Sequence, residues 1–231
     1  MRASLKVVYE LLALFNRRLL SDLFKILSTR SVMRRLFLSR STLACALLVA
    51  PLCRAQRVPT VYGYNTNGQP VTRLASFGTE AVVLFFVASD CPISNRYTPE
   101  IRSLEEKFAA QHVVFWLVYP NVGETSSGVR QHEAAYGSEE HILLDPDHRL
   151  VALAHAKLTP ESAILIPERP ASEAFRTVYH GRIDDRYVQF GQERPKATQH
   201  DLERAIDDVL RHRSVEQPNG PAVGCGIIGH P

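Results

Sequence analysis

Two short apolar runs dominate the middle of the chain, and both predict buried β-strands. Residues 81–88 are AVVLFFVA and residues 113–119 are VVFWLVY. Both runs are short and rich in β-branched or aromatic side chains, which favours central strands over helices. Between them Ile101, Leu104 and Phe108 recur at i, i+3 and i+7, a spacing that predicts a helix with one apolar face. The pattern therefore predicts a strand, a helix and a second strand in succession.

Weaker patterns on either side extend this order. Asn67 and Gly68 lie between the β-prone pairs Val61-Tyr62 and Val71-Thr72, which is typical of a hairpin turn. Further strands are predicted at 141–144, 163–166 and 175–180, and helices in the stretch that ends at Gly137, at 150–155 and around Leu202, Ile206 and Val209. Without the short elements at 141–144 and 150–155, the order is β, α, β, α, β, β, α, which belongs to the α/β class.

One cysteine lies where the first apolar strand ends and the helix begins. Ser89 and Asp90 are turn and capping residues, Cys91 follows them, and Pro92 suits a first helical position. The free N–H groups and positive dipole end of a helix N-terminus stabilise a thiolate, so the pKa of Cys91 is predicted to lie below that of free cysteine. The charge of Asp90 opposes this effect. The alternative is that Cys91 is a small buried hydrophobic residue.

The basic charge of the protein is concentrated at its N-terminal end. The 231 residues carry a formal charge of +3, with 27 Lys and Arg against 24 Asp and Glu. Residues 1–55 hold ten of the basic residues and two of the acids, which leaves 17 basic and 22 acidic residues, a net charge of −5, for the rest. The body of the protein therefore has no electrostatic footprint for nucleic acid.

Residues 33–55 have the pattern of a signal peptide. A basic start is followed by an apolar stretch at 43–52 and by small residues that end at Ala55, which predicts cleavage after Ala55. Arg34 and Arg35 also resemble a twin-arginine signal. The apolar stretch is shorter than the roughly 20 residues that span a bilayer, so we expect no stable membrane span after cleavage. The protein is therefore predicted to be periplasmic or secreted.

This leader and the end of the chain set the predicted boundaries. Signal peptides begin near the initiator, so the stretch before Met33 is interpreted as a gene-start extension. The end of the chain is rich in Pro and Gly, which predicts a flexible tail. The predicted segments are an extension at 1–32, a signal peptide at 33–55, one domain at 56–213 and a cysteine-containing tail at 214–231.

Export also changes the cysteine count. Cys45 and Cys53 leave with the signal, so the mature protein keeps Cys91 and Cys225. In an oxidising compartment two such cysteines either pair or stay free for a functional reason. Seven of the nine histidines are spread along the chain without the spacing of metal ligands, so no metal site is predicted. They are His112, His132, His141, His148, His155, His180 and His200.

The motifs around Cys91 resemble those of the thioredoxin-like superfamily. Asp90-Cys91-Pro92-Ile93-Ser94 occupies the place of the family's C-x-x-C motif, Pro99 falls where thioredoxins kink the next helix, and Thr159-Pro160 matches the family's cis-proline. The closer resemblance is to exported redoxins related to alkyl hydroperoxide reductase and thiol-specific antioxidant. It covers roughly residues 58–213 and implies an α/β thioredoxin-like fold, a central mixed β-sheet flanked by helices.

Several positions depart from the family pattern. Ser94 stands where a dithiol thioredoxin has its second cysteine, so the motif alone cannot close an internal disulfide. Asp90 replaces the usual aromatic residue before the motif, and Phe85 lies where thioredoxins bury a proton-shuttling acid. Ala88 and Leu84 occupy positions where peroxiredoxins carry the hydroxyl residue and proline of their peroxide-binding loop. The resemblance therefore reproduces neither the standard disulfide reductase nor the standard peroxidase.

The resemblance and the leader together predict an exported thiol-dependent oxidoreductase that uses a single active-site cysteine, Cys91. The resemblance implies a protein thiol or disulfide, or a peroxide, as its partner, with no cofactor. Ser94 either hydrogen-bonds the thiolate or caps the helix. Cys225 is either a resolving thiol or an incidental cysteine of the tail.

The candidate partner-binding residues are Pro92, Thr159 and Pro160, because the cis-proline of the family lies against the active cysteine and helps to bind the partner peptide. Two other functions stay open. One is a non-catalytic module that binds another exported protein through the surface of Cys91 and Pro160, and the other is a thiol peroxidase. Residues 181–187, GRIDDRY, form either a partner surface or, as we favour, a salt-bridged turn.

Overall fold

The two apolar runs form the centre of a seven-stranded sheet. The computed structural model describes residues 59–136, 141–169 and 174–229. The strands are β1 Gly63–Tyr64, β2 Pro70–Val71, β3 Ala81–Phe86, β4 Val113–Tyr119, β5 Ile142–Leu144, β6 Leu158–Thr159, β7 Glu161–Pro167, β8 Phe175–Gly181, β9 Tyr187–Gln189, β10 Gln192–Glu193 and β11 Cys225–Gly226. The helices are α1 Pro92–Phe108, α2 Ser126–Tyr136, α3 Arg149–Ala154 and α4 Asp201–Leu210.

The sheet is mixed, in the order β2-β1-β5-β4-β3-β7-β8. Strands β3, β4 and β5 are parallel to one another, whereas β7 is antiparallel to β3 and β8 is antiparallel to β7. Because parallel strands end at the same edge, the segments that follow β3 and β4 start side by side. The predicted α/β fold with a central mixed sheet flanked by helices is confirmed.

Both faces of the sheet are covered, as the continuous apolar strands predict. Every residue of β3 is buried. On one face Val83 and Phe85 belong to a core cluster with residues of α1, α2 and α4. On the other face Leu84 and Phe86 belong to a second cluster with residues of α3. Successive side chains of β3 therefore pack against helices on opposite faces of the sheet. This packing holds α1 against one of the faces.

The predicted hairpin is present, shifted by one or two residues. Gly63 pairs with Val71 and Tyr64 with Pro70, and Gly68 has a φ of 74°, a conformation that glycine adopts without strain. The strand predicted at 163–166 is longer and runs from Glu161 to Pro167. These differences lie at element ends, where sequence patterns are least informative.

The C-terminal segment is packed against the domain, in place of the flexible tail that its composition predicts. Cys225 pairs with Thr159 and Gly226 with Leu158 in a two-stranded antiparallel ladder. Ile227 is 8% exposed and joins the core cluster on the α3 face. Backbone hydrogen bonds and one apolar anchor therefore hold the segment that carries Cys225.

The predicted extension at 1–32 and signal peptide at 33–55 lie outside the described residues. Among the residues that are described, no helix is long and apolar enough to cross a membrane.

Candidate functional site: a thiol pair at the start of helix α1

Cys91 lies directly before the first turn of α1, as predicted. It is the N-cap residue with an extended backbone, φ −87° and ψ 111°, and Pro92 is the first helical residue. The N–H of Cys91 donates to Ala88 O at 3.2 Å, which closes the turn after β3. Cys91 is 0% exposed, so its sulfur points inward rather than to solvent.

The tail brings a second sulfur to this point. Cys225 Sγ donates to Cys91 Sγ at a distance of 2.7 Å, and both residues are free thiols. A disulfide bond measures about 2.05 Å, so the two sulfurs are in contact without being bonded. Cys225, which the sequence left as either resolving or incidental, therefore contacts Cys91 directly.

Gly224 allows this contact because the tail passes very close to β6. A Cβ at position 224 would lie 2.2 Å from Thr159 O and 2.7 Å from the Thr159 carbonyl carbon. Both are backbone atoms next to the Thr159–Pro160 peptide bond, which is cis. Any side chain at position 224 would therefore push the tail away from the thiol pair.

Thr159 and Ser94 complete the polar surroundings of Cys91. The Cys91 thiol donates to Thr159 O at 3.0 Å. Ser94 is 3% exposed, and its backbone N–H and its side chain both hydrogen-bond the sulfur of Cys91. Four of the predicted site residues, Cys91, Ser94, Thr159 and Cys225, thus meet in one place.

The two thiols have opposite electrostatic environments. Burial raises the pKa of Cys91, but hydrogen bonds from Cys225 and Ser94 outweigh it, and the pKa lies below the usual cysteine range. For Cys225, burial comes first and the hydrogen bond and charge of Cys91 add to it, so its pKa rises to about 12. The charge of Asp90, expected to oppose ionisation of Cys91, raises the pKa of Cys225. Cys91 is therefore the thiol that ionises first.

Replacing Cys225 by alanine is expected to raise the pKa of Cys91, because a thiolate at Cys91 loses its strongest hydrogen-bond donor. Cys225→Ser keeps a donor and should raise the pKa less. The ultraviolet absorbance of the thiolate, followed against pH in the reduced variants, measures both. Equal titration of the two variants would contradict the role of the donor.

The lowered pKa of Cys91 also makes the stability of the fold depend on pH. Because the folded-state pKa of Cys91 is lowered, its ionisation stabilises the fold above the pKa of unfolded cysteine. That stability is lost as pH falls through the folded-state pKa.

A glutamate that the sequence pattern did not single out holds the turn before Cys91. Both carboxylate oxygens of Glu124 accept hydrogen bonds from the Ser89 hydroxyl, at 3.1 and 3.0 Å, and one also accepts the Ser89 N–H at 3.0 Å. Glu124 lies in the loop after β4. The parallel pairing of β3 and β4 could have pointed to Glu124, because it brings the loops after both strands to the same edge of the sheet.

A buried hydrogen-bond network joins α1 to α2 beside the same turn. Asn95 Nδ2 donates to Ser89 O at 3.3 Å, so its Oδ1 faces His132 Nε2 at 2.8 Å and accepts from it. The Tyr119 hydroxyl donates to Glu133 and lies 2.9 Å from His132 Nδ1. His132 Nδ1 also lies 3.4 Å from Glu133 Oε1, so the Tyr119 hydroxyl, the imidazole and the carboxylate form one contact cluster.

The charged segment at 181–187 has a structural role. Arg182 Nε donates to Asp201 Oδ2 at 2.6 Å, and Asp201 Oδ1 accepts from Arg204 at 2.7 Å. Asp184 accepts from the Tyr97 hydroxyl at 2.5 Å, and Tyr97 belongs to α1. Because Asp184 and Asp201 are 3% and 0% exposed, these contacts lie inside the fold. They match the salt-bridged turn that the sequence favours.

One histidine comes closer to acidic residues than its sequence spacing indicates. Atoms that could bind a metal ion lie within 4.8 Å of one another on Glu100, His200 and Glu203. The ammonium of Lys107 pairs with Glu203 at the same place. This ion pair already neutralises the cluster in part, so we assign no metal to it.

Comparison with known proteins identifies the family of the chain. A family model described as AhpC/TSA family matches residues 55–176, more than half of the chain. The chain is a redoxin of the thioredoxin-like superfamily, a thiol oxidoreductase. It belongs to the AhpC/TSA family. The predicted resemblance is thereby confirmed.

Among the solved structures that match the chain, two illustrate the shared fold. An uncharacterized conserved protein from Geobacillus kaustophilus is 20% identical, with a TM-score of 0.60 over 75% of this chain and 90% of that one. A hypothetical protein from Sinorhizobium meliloti is 26% identical, with a TM-score of 0.59 over 74% of this chain and 93% of that one. No curated protein matches the chain.

Proposed function

We propose that the protein is an exported thiol–disulfide oxidoreductase whose redox centre is the pair of Cys91 and Cys225. The observation that carries the proposal is the 2.7 Å contact between the two sulfurs. This pair replaces the single-cysteine hypothesis, which followed from Ser94 standing in the second position of the motif. The second thiol comes from the tail rather than from the helix.

The proposed reaction exchanges two electrons between the protein and a partner protein. A partner dithiol becomes a disulfide while the bond between Cys91 Sγ and Cys225 Sγ breaks. The two partner protons pass to the protein thiols or, where Cys91 remains a thiolate, to solvent. A second disulfide returns the protein to its oxidised form by the reverse exchange and takes the two electrons. Thiols and disulfides alone therefore balance the atoms and electrons of this cycle.

Ser94, Thr159 and Pro160 take supporting roles in this proposal. Ser94 stabilises the Cys91 thiolate through two hydrogen bonds. Thr159 and Pro160 are buried, and β6 pairs with the tail, so these residues hold the Cys225 segment in place. Pro92 is exposed and is the one of the three candidate partner-binding residues that a partner can contact while the tail is docked.

A thiol peroxidase is the second candidate, because the family includes proteins named for that activity. Peroxide would oxidise the Cys91 thiolate to a sulfenic acid, and Cys225 would then expel water and form the disulfide. The surroundings of Cys91 support this less well. Leu84 and Ala88 are both 0% exposed and apolar, so neither can hold a peroxide by a hydrogen bond.

Export is supported by the leader. The basic start, the apolar stretch at 43–52 and the small residues before Gln56 form a cleavable signal. A disulfide that cycles between protein partners also suits an oxidising compartment.

One mass-spectrometric experiment tests both parts of the proposal. The chain is expressed from Met33, where the predicted signal peptide begins, and is recovered from the exported fraction, before and after treatment with diamide, a thiol oxidant. The expected product begins at Gln56, loses two hydrogens on oxidation and yields a Cys91–Cys225 peptide after proteolysis. It should oxidise a dithiol peptide and leave hydrogen peroxide largely unconsumed. An unprocessed chain contradicts export, and two thiols that stay free contradict the redox centre. Rapid peroxide consumption lost in Cys91→Ser would favour the peroxidase.

A further inference from the structure

The two sulfurs of the pair differ in access from solvent. Cys91 is 0% exposed, and Cys225 Sγ and Thr159 O both contact its sulfur, at 2.7 and 3.0 Å. Cys225 is partly exposed. The next residue, Gly226, is exposed, and apart from Gly226 and its two chain neighbours no heavy atom of the described residues lies within 4 Å of the position that a Cβ would take there. A group that arrives from solvent while the tail is docked therefore reaches Cys225 first.

The two sulfurs also differ as leaving groups. Although burial raises the pKa of Cys91, hydrogen bonds from Cys225 and Ser94 bring it below the usual range. Burial raises the pKa of Cys225 to about 12, together with its contact to Cys91. In thiol–disulfide exchange the thiol with the lower pKa leaves faster. When a disulfide between the two breaks, the negative charge is therefore better held on Cys91.

We infer that a partner thiolate attacks the sulfur of Cys225, so that the mixed disulfide forms on the tail and buried Cys91 leaves. This inference rests on the proposed function, since it needs the disulfide between the two residues. In the first step the partner sulfur bonds to Cys225 Sγ, the Sγ–Sγ bond breaks, and its electron pair goes to Cys91. In the second step another partner thiolate attacks the partner sulfur. Cys225 then leaves and takes up a proton, and the partner holds the disulfide.

The direction of the reaction follows from the same geometry. In the reduced protein the thiol with the lower pKa, Cys91, is buried, and the accessible thiol of Cys225, whose pKa rises to about 12, holds its proton at neutral pH. The reduced form therefore attacks external disulfides slowly, which makes its reoxidation by a second disulfide the slow half of the proposed cycle, whereas the oxidised form presents an accessible sulfur with a good leaving group. We assign the protein to the oxidation of partner dithiols.

The surface around Cys225 indicates the kind of partner. Ile228 lies three residues further along the tail and is 56% exposed, and its neighbour Val122 is 61% exposed. Val122 N–H donates to Ile228 O at 3.4 Å, so the two side chains belong to one patch. Asp90 is exposed, and its charge acts on Cys225. This combination fits a protein thiol flanked by apolar and basic side chains.

The test identifies which cysteine captures a partner. The full chain carries Cys45→Ser and Cys53→Ser, so that leader thiols do not interfere, and is oxidised with diamide. It is mixed with excess of a short peptide that has one cysteine between leucine and arginine residues. After seconds the reaction is quenched with acid, free thiols are alkylated, and proteolytic fragments are weighed. A second peptide with glutamate in place of arginine measures the preference for charge.

The expected result is peptide on Cys225 and alkyl group on Cys91, with at least about tenfold less peptide on Cys91. The arginine peptide should react several times faster than the glutamate peptide at low salt, and this difference should shrink at high salt. Peptide mainly on Cys91, or no capture in large excess, overturns the inference although the disulfide exists. Equal rates for the two peptides overturn the assigned partner charge. Failure to form the internal disulfide removes the proposed function itself.

Discussion

Gly224→Ala is expected to separate Cys225 from Cys91 and to slow internal disulfide formation by about a hundredfold, as misplacement of reacting groups by about 1 Å does. The new Cβ would lie 2.2 Å from Thr159 O. That oxygen belongs to the strand that pairs with the tail, so it cannot move without disturbing the ladder. The tail must shift, and the 2.7 Å contact between the sulfurs is lost. The rate of disulfide formation with diamide, followed by alkylation of remaining thiols, measures the effect.

Gly226→Ala is the matched control for this prediction. The two glycines flank Cys225, and both substitutions restrict the unfolded chain equally. At position 226, however, no heavy atom of the described residues lies within 4 Å of the added Cβ, apart from Gly226 itself and its two chain neighbours. This variant should form the disulfide at close to the wild-type rate. If both variants slow the reaction alike, backbone restriction rather than the close approach at Thr159 decides the geometry.

Asp201→Ala is expected to cost about 3–5 kcal/mol of unfolding free energy, the range found when one partner of a buried ion pair is removed. Asp201 is 0% exposed and accepts from Arg182 and Arg204 at 2.6 and 2.7 Å. Without it the Arg182 guanidinium, whose side chain is 13% exposed, stays buried with its charge uncompensated. Denaturant unfolding of the reduced protein measures the loss.

Asp207→Ala provides the comparison within the same helix. Asp207 lies 4.0 Å from Arg211, and their side chains are 34% and 64% exposed, so the change should cost less than about 1 kcal/mol. Equal costs for the two variants would contradict a structural role for the segment at 181–187. Neither substitution touches the thiol pair. Disulfide formation in the folded fraction should therefore be unchanged in both variants.

The part of the site that precedes and starts α1 was predictable because it is local in sequence. A buried strand, a short turn and a helix with a proline at its first position place Cys91 at a helix N-terminus. The lowered pKa of Cys91 was predicted from this placement. The main cause that lowers this pKa differs from the predicted one. The hydrogen bond from the Cys225 side chain lowers the pKa of Cys91 most, and the hydrogen bonds from Ser94 at the start of the helix follow it.

The partner of Cys91 was not predictable in the same way. Residues 214–231 are rich in Pro and Gly, and such composition is typical of flexible segments. Backbone contacts hold residues 224–228 to the domain nonetheless, among them the two ladder pairs of β11, the hydrogen bond from Ile227 N–H to Lys157 O at 3.0 Å and the close approach of Gly224. Backbone contacts carry little signature in side-chain pattern, because any non-proline residue can make them.

The polar residues that support the turn before Cys91 were not predicted from the sequence, for a related reason. Glu124 and His132 lie well beyond Cys91 in sequence, and they reach its turn only because β3 and β4 are parallel and adjacent. Parallel pairing brings the ends of both strands to one edge, so side chains after the second strand can hold the turn after the first. The sequence pattern showed the strands but not which residues would meet there.

The sequence by itself determined the fold class, the family and the position of Cys91, because apolar periodicity and turn chemistry act over a few residues. The tertiary structure alone decided that the site has two sulfurs. Cys91 and Cys225 are separated by 134 positions, and their contact depends on where the backbone of β6 receives the tail. Such a meeting is decided by the packing of the whole domain.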